Sequence, residues 1–93
     1  MQYTQCMWYV YIIKCKDDTL YTGISTNLER RFREHLSDKH SAKYTRTHGV
    51  KKMFHVSYAL TRSEAQKEEA RIKKLSRKQK EILIRDLVAV RES

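Results

Sequence analysis

Residues 8–15 read Trp8-Tyr9-Val10-Tyr11-Ile12-Ile13-Lys14-Cys15, and after the polar Lys16-Asp17-Asp18-Thr19 the chain resumes with Leu20-Tyr21-Thr22-Gly23-Ile24. The first stretch is dense in aromatic and β-branched residues, which fit a pleated, half-buried surface, and reads as a strand. The second reads as a shorter strand. A connection of about four turn-prone residues joins them as an antiparallel hairpin.

Beyond the hairpin, Thr26-Asn27-Leu28-Glu29 has the capping-box form that opens a helix. Leu28, Phe32 and Leu36 recur every four residues there and form the expected inward stripe. Residues 37–52 are polar and basic without a strong period, and read as a loop with a short helical piece. Residues 53–60 (MFHVSYAL) read as a third strand, with apolar side chains on both parities, so that its inward face stays open. Ser63-Glu64-Ala65-Gln66 repeats the capping-box form, and the helix after it turns Ala65, Ile72 and Leu75 to the core. Ser76-Arg77-Lys78-Gln79 has it again, opening a last helix that is expected to bury Ile82, Leu83 and Leu87. The order β-β-α-loop-β-α-α predicts an α+β fold, a three-stranded, mainly antiparallel sheet flanked by helices. The expected division is an N-terminal extension at 1–7, one domain at 8–87 and a short tail at 88–93.

With 93 residues and 40% apolar composition, the chain can support one hydrophobic core and is too apolar for a disordered tail. Twenty Lys and Arg stand against eleven Asp and Glu, a formal charge of +9. A field of that sign attracts polyanions, of which nucleic acid is the commonest in a cytoplasm. No apolar run approaches the length that spans a bilayer, and the N-terminus lacks the pattern of a secretory signal. Cys6 and Cys15 have no CxxC partner, which fits a reducing interior without a disulfide framework or zinc site. A cytoplasmic protein, nucleoid-associated if bacterial, is the expectation.

Tyr11 and Tyr21 lie on the two hairpin strands, and the turn after Gly23 feeds the helix carrying Arg31 and His35. Those two are four apart and share a helix face. That face is offset from the Leu28/Phe32/Leu36 stripe and is expected to border a cleft rather than sink into the core. Tyr9-Val10-Tyr11, then Tyr21-Thr22-Gly23, then Asn27-Leu28-x-x-Arg31-Phe32-x-x-His35 resembles the GIY-YIG nuclease superfamily, and most of all its small standalone bacterial-type members. The resemblance runs through Ala42-Lys43-Tyr44-Thr45-Arg46 and into Glu69-x-x-Ile72-Lys73, about residues 8 to 85. It implies catalytic roles for Tyr11, Tyr21, Arg31 and His35, and a metal-binding role for Glu69, with Glu68 the alternative if the match slips by one. Two positions depart from the family's letters: Tyr9 stands for the first glycine, and Thr22 for the isoleucine. The late asparagine of some family nucleases has no counterpart, since Asn27 is the sole asparagine.

The residue types suit phosphodiester hydrolysis. One Mg²⁺ or Mn²⁺ ion on Glu69 would polarise the phosphate and ease departure of the 3′ oxygen, and one carboxylate completed by waters suits such an ion. Arg31 offers a permanently charged fork of donors to phosphate oxygens. Tyr11 would position the water or take its proton, with His35 assisting and Tyr21 orienting phosphate or water. A free phenol titrates at about 10, and Arg31 with the metal would bring that down. Gly23 reads as a position needing positive φ or close approach. Arg30, Lys43, Tyr44, Arg46 and Lys73 are candidate nucleic-acid contacts, through phosphate and an aromatic stack. The expected function is a metal-dependent endonuclease on DNA, favoured over RNA, with weak sequence preference and selection by strand shape, of repair or recombination type. The alternative is a binding module for DNA or structured RNA that keeps the fold without turnover.

Overall fold

The computed structural model describes residues 7–37 and 48–92. The strands form as the patterning predicts: β1 is Trp8–Cys15 and β2 is Leu20–Ser25. Their turn is held by Cys15 N–H donating to Thr19 O at 2.8 Å and Asp18 N–H to Cys15 O at 2.9 Å. Asp18 takes the left-handed conformation (φ 68°) that Asp tolerates, and the Asp17 carboxylate accepts from the Thr19 hydroxyl at 2.6 Å. Helix α1 spans Leu28–Leu36, β3 Val50–Ala59, α2 Arg62–Lys73 and α3 Arg77–Arg85, and a two-residue strand β4 at Arg91–Glu92 follows.

All pairings are antiparallel and the sheet order is β2-β1-β3-β4. The expected three-stranded sheet therefore has a fourth strand. It carries no apolar pattern to announce it: Arg91 and Glu92 are exposed. Long-range contacts place it instead: Val90 N–H donates to Met53 O at 2.9 Å, and ion pairs join Lys52 to Glu92 at 3.3 Å and Arg91 to Glu29 at 3.1 Å.

β1 is central, and its alternate residues feed two cores, one on each face of the sheet. Val10 and Ile12 pack with Phe54, Ala65, Ile72 and Ile84 beneath α2 and α3. Tyr11, Ile13 and Cys15 pack with Phe32, Val50 and Met53 beneath α1. The mixed parity of β3 has a cause in register. Val10 pairs with Ser57 but Tyr11 with His55, so Val56 is an extra residue at a bulge. Phe54 and Val56 consequently belong to the α2/α3 face, while Met53 belongs to the α1 face.

Helix starts differ from the capping-box reading in two cases of three. Asn27, not Thr26, caps α1, its side chain accepting from Arg30 N–H at 3.0 Å. Thr61, not Ser63, caps α2 and bonds Glu64 N–H at 3.2 Å. Ser76 and Gln79 form the full reciprocal box of α3, as expected. Burial also departs from the expected stripes. Ala65 and Ile72 are fully buried, but Leu36, Ile82 and Leu87 are exposed. His35 on α1 and Ile84 on α3 are the buried positions instead: Leu36 is the last residue of α1, Leu87 lies past the end of α3, and α3 turns Ile84 rather than Ile82 to the sheet. Among the described residues no helix is long and apolar enough to cross a membrane.

Candidate active site

Tyr11 sits in mid-strand opposite Gly23 on β2. Gly23 has no positive φ, so of the two reasons for a glycine here close approach is the operative one. A Cβ at this position would lie 2.4 Å from the Tyr11 hydroxyl oxygen and 2.6 Å from Cζ. The phenol lies across the glycine, and the missing side chain is the space it occupies.

Helix α1 delivers the partners. It is tied to the end of β2 by Ser25, whose hydroxyl donates to Asn27 O and accepts from Asn27 N–H, both at 3.1 Å. From this fixed start Arg31 and His35, one turn apart, both reach Tyr11. Arg31 Nε donates to the Tyr11 hydroxyl at 3.3 Å, and Tyr11 Oη lies 2.8 Å from His35 Nε2. Arg31 can only donate, so the phenol oxygen accepts from it, and Tyr11 and His35 share the second bond, in which the phenol donates when Nε2 is the unprotonated nitrogen. Tyr21, from β2, sets its ring edge-on to His35 at 5.5 Å between centroids.

His35 is 2% exposed, so its end of this helix face sinks into the core instead of bordering a cleft, while Arg31 at the other end stays partly exposed. A buried imidazole is tolerable because its polar edge is hydrogen-bonded to the phenol. Burial, and then the neighbouring Arg31 charge, push its pKa down to about 4, so it is neutral at pH 7. The phenol shifts the other way. Burial pushes Tyr11 up to about 12, although the hydrogen bond and charge of Arg31 pull it down. The expectation that Arg31 lowers the Tyr11 pKa thus has the right sign for that one partner, but desolvation outweighs it. Burial also opposes the charge of Arg31, yet hydrogen bonds to Tyr11 and Glu34 more than offset it and hold the guanidinium protonated.

Glu34 escaped the sequence reading. Its carboxylate accepts from Arg31 Nη1 at 3.0 Å and also pairs with Arg30 Nε at 3.7 Å. The signal was present as an Arg-x-x-Glu spacing, but on a helix surface with three arginines such spacing is common. Glu69 on α2 is only partly exposed, contributes to the electrostatic field at the Tyr11 phenol and pairs with Lys73 at 3.4 Å. Glu68 is engaged instead with Arg71 on the outer side of the helix. Among the described residues no cluster of three or more His, Cys, Asp or Glu could hold a metal. The donor set therefore does not fit a closed zinc site. A lone carboxylate such as Glu69 fits a hard, largely water-coordinated ion.

Arg30 and Lys73 are exposed on the outer surfaces of α1 and α2. Lys43, Tyr44 and Arg46 lie outside the described residues. A separate cleft of about 600 Å³ opens by α3, among Lys14, Lys52, Phe54, Lys78 and Arg85. Lys14 and Phe54 project from the sheet face opposite Tyr11, so this cleft is remote from the Tyr11/His35 pair.

Comparison with known proteins covers most of the chain. A family model for the GIY-YIG catalytic domain matches residues 7–82. The chain belongs to the GIY-YIG family. It is 47% identical to a UPF0213 protein of Syntrophus aciditrophicus over 83% of this chain and 88% of the other. Identity to a UPF0213 protein of Clostridium perfringens is 49%, covering 84% of this chain and 83% of the relative. The solution NMR structure of a UPF0213 protein from Bacillus halodurans is 39% identical, covers 85% of this chain and 83% of its own, and superposes with a TM-score of 0.47. A GIY-YIG domain is a nuclease fold and implies contact with nucleic acid.

Proposed function

We propose that this GIY-YIG protein is a divalent-metal-dependent endonuclease that hydrolyses DNA phosphodiester bonds and selects by strand shape more than by sequence. The observation that carries the reading is the Tyr11 hydroxyl held between Arg31 Nε and His35 Nε2 over Gly23. A phenol oxygen has two lone pairs and one proton. Arg31 occupies one lone pair and His35 takes the proton, which leaves the second lone pair to accept from an attacking water. In this scheme the water passes a proton to the Tyr11 oxygen as the phenol proton moves to His35 Nε2. The water oxygen bonds to phosphorus, and the 3′ oxygen departs and is protonated by solvent.

Neither group is a strong base in the free protein, given a phenol at about 12 and an imidazole at about 4. A phosphate seated on Arg31 changes this. Its negative charge offsets the Arg31 cation, the second cause after burial that depresses His35, so the imidazole becomes a better proton acceptor when substrate is present. Arg31, held in place by Glu34, stabilises the charge that grows on the phosphoryl oxygens. Glu69 would hold one Mg²⁺ or Mn²⁺ ion with waters, which when bound supplies charge relief to the phosphate and the leaving oxygen. Tyr21 orients phosphate or water, and Arg30 and Lys73 with Lys43, Tyr44 and Arg46 extend the contact to flanking nucleotides.

A cleavage gel with labelled branched, single-stranded and duplex DNA, in Mg²⁺ and in EDTA, tests this. Wild type should cut in Mg²⁺ alone. Arg31→Ala should lose about a hundredfold or more in rate, and Glu69→Gln should lose the metal response. Identical products from wild type and Arg31→Ala under every condition would defeat the enzyme reading. The near-complete burial of Tyr11 and His35 favours one other reading, a nucleic-acid-binding module without turnover. Salt-sensitive binding that survives Arg31→Ala, with no cleavage, would select it.

A further inference from the structure

Beside Tyr11, on the same face of the sheet, stand three rings that the proposed reaction does not use. Tyr11 pairs across the strands with His55, and Tyr9 with Tyr58. Directly opposed residues project to one face, as do residues two apart on a strand, so Tyr9, Tyr11, His55 and Tyr58 share a face. Tyr9 meets His55 edge-on, with 5.3 Å between centroids and planes at 79°. His55 and Tyr58 lie 6.3 Å apart with planes tilted by 34°.

Two features distinguish this group from core packing. Phe32 and Leu28 of α1 cover the Tyr11, Ile13 and Met53 part of the face, and Tyr9, His55 and Tyr58 stand outside that cluster, with Tyr58 64% exposed. The second is polar: His55 Nε2 is buried and makes no hydrogen bond. The ring is therefore positioned by its aromatic neighbours rather than by a polar anchor. The outcome is an aromatic group beside the candidate catalytic phenol, with Tyr58 exposed at its outer end and Tyr9 and His55 half-buried behind it, on a protein whose net charge is +9.

We propose that Tyr9, His55 and Tyr58 form a stacking platform for unpaired bases of the strand whose phosphate lies on Arg31, which makes nucleic acid with a single-stranded segment the substrate class. Every base has a π-face that an aromatic side chain can take up, but in a duplex those faces are already stacked on one another. The platform thus discriminates by strandedness and not by sequence. It rests on the reading of Arg31 and Tyr11 as the phosphate site.

Binding in EDTA separates the platform from cleavage. The probes are a short fluorescein-labelled oligothymidylate and a labelled duplex of equal length, followed by fluorescence anisotropy. Wild type should bind the single strand more tightly than the duplex. Tyr58→Ala should weaken single-strand binding about tenfold, in keeping with the stacking of one base, and leave the duplex within about twofold. Tyr58→Trp should restore the single-strand affinity, a result that general surface damage would not give. Because Tyr58 is exposed, its replacement does not endanger the fold. Equal affinity of wild type and Tyr58→Ala for the single strand would overturn the proposal. So would a parallel loss on both probes, or a wild type with no preference for the single strand, which would leave this face to a protein partner. A wild type that never cleaves yet shows the Tyr58-dependent preference defeats the nuclease reading and leaves the platform standing. Cleavage without that dependence does the reverse.

Discussion

The contact between Tyr11 and Gly23 shows how one missing methyl group sets a functional geometry. The phenol occupies the volume a Cβ would need, with its oxygen 2.4 Å from that point. Gly23→Ala should therefore displace the ring from Arg31 and His35, and overpacking of this kind costs about 1–3 kcal/mol. Denaturant midpoints should fall accordingly, and nuclease activity should fall further than stability alone explains. His35 makes a separate prediction. Its folded pKa is about 4 against 6.5 for the free side chain. Between those values the unfolded chain binds the proton and the folded one does not, so stability is complete above pH 6.5 and declines as pH falls toward 4. Melting temperatures across that window should show this decline in wild type and a flatter profile in His35→Gln. A wild-type profile no steeper than the variant's would mean that the imidazole is charged in the fold. The tyrosine, arginine and histidine of this trio were legible as residues at suggestive spacings. Their hydrogen bonds and the direction of their pKa shifts were not, since both depend on burial, which spacing does not report.

Helix α1 carries two of the three partners, so its start matters as much as its composition. Asn27 caps it, and Ser25 ties that cap to the end of β2. Asn27→Ala should destabilise the protein by about 1 kcal/mol, readable as a shift in the denaturant midpoint. Loss of activity larger than that shift implies is expected as well, because Arg31 and His35 move with the first turn. The capping letters Thr-x-x-Glu preceded α1, but the true cap is one residue later. At α2 the cap is two residues earlier, at Thr61. Ser, Thr and Asn are all competent caps, and which one is used depends on where the preceding strand releases the chain. The same limit explains the stripe of α1. Four-residue spacing chose Leu36, yet the helix ends there and the side chain meets solvent, while His35 turns inward to the phenol.

For the molecule as a whole, the governing quantities are the two-faced sheet and the charge of +9. One face with α1 carries Tyr11, Tyr21, Arg31 and His35 of the candidate site, and the other with α2 and α3 carries the larger apolar core, with Glu69 coming from α2. Nucleic-acid affinity should fall linearly on a log–log plot against salt, with a slope near −0.7 per phosphate neutralised for single strands. Titrations at several salt concentrations measure it, and a flat dependence would rule out phosphate contact as the source of affinity. The Asp17–His48 pair lies far from any motif and was not anticipated, because it joins the hairpin turn to residues ahead of β3.

The order of strands and helices up to α3 and the hairpin could be read along the chain, because local propensity and short periodic patterns are properties of neighbours in sequence, and the resemblance of the motifs to the GIY-YIG family singled out Tyr11, Tyr21, Gly23, Arg31, His35 and Glu69. The bulge at Val56, the fourth strand, the burial of His35, the Glu34 brace on Arg31 and the ring group of Tyr9, His55 and Tyr58 emerged only in three dimensions. Apart from the Glu34 brace, which joins residues one helical turn apart, each is settled by contacts between segments distant along the chain, and desolvation and register come into being only when those segments pack.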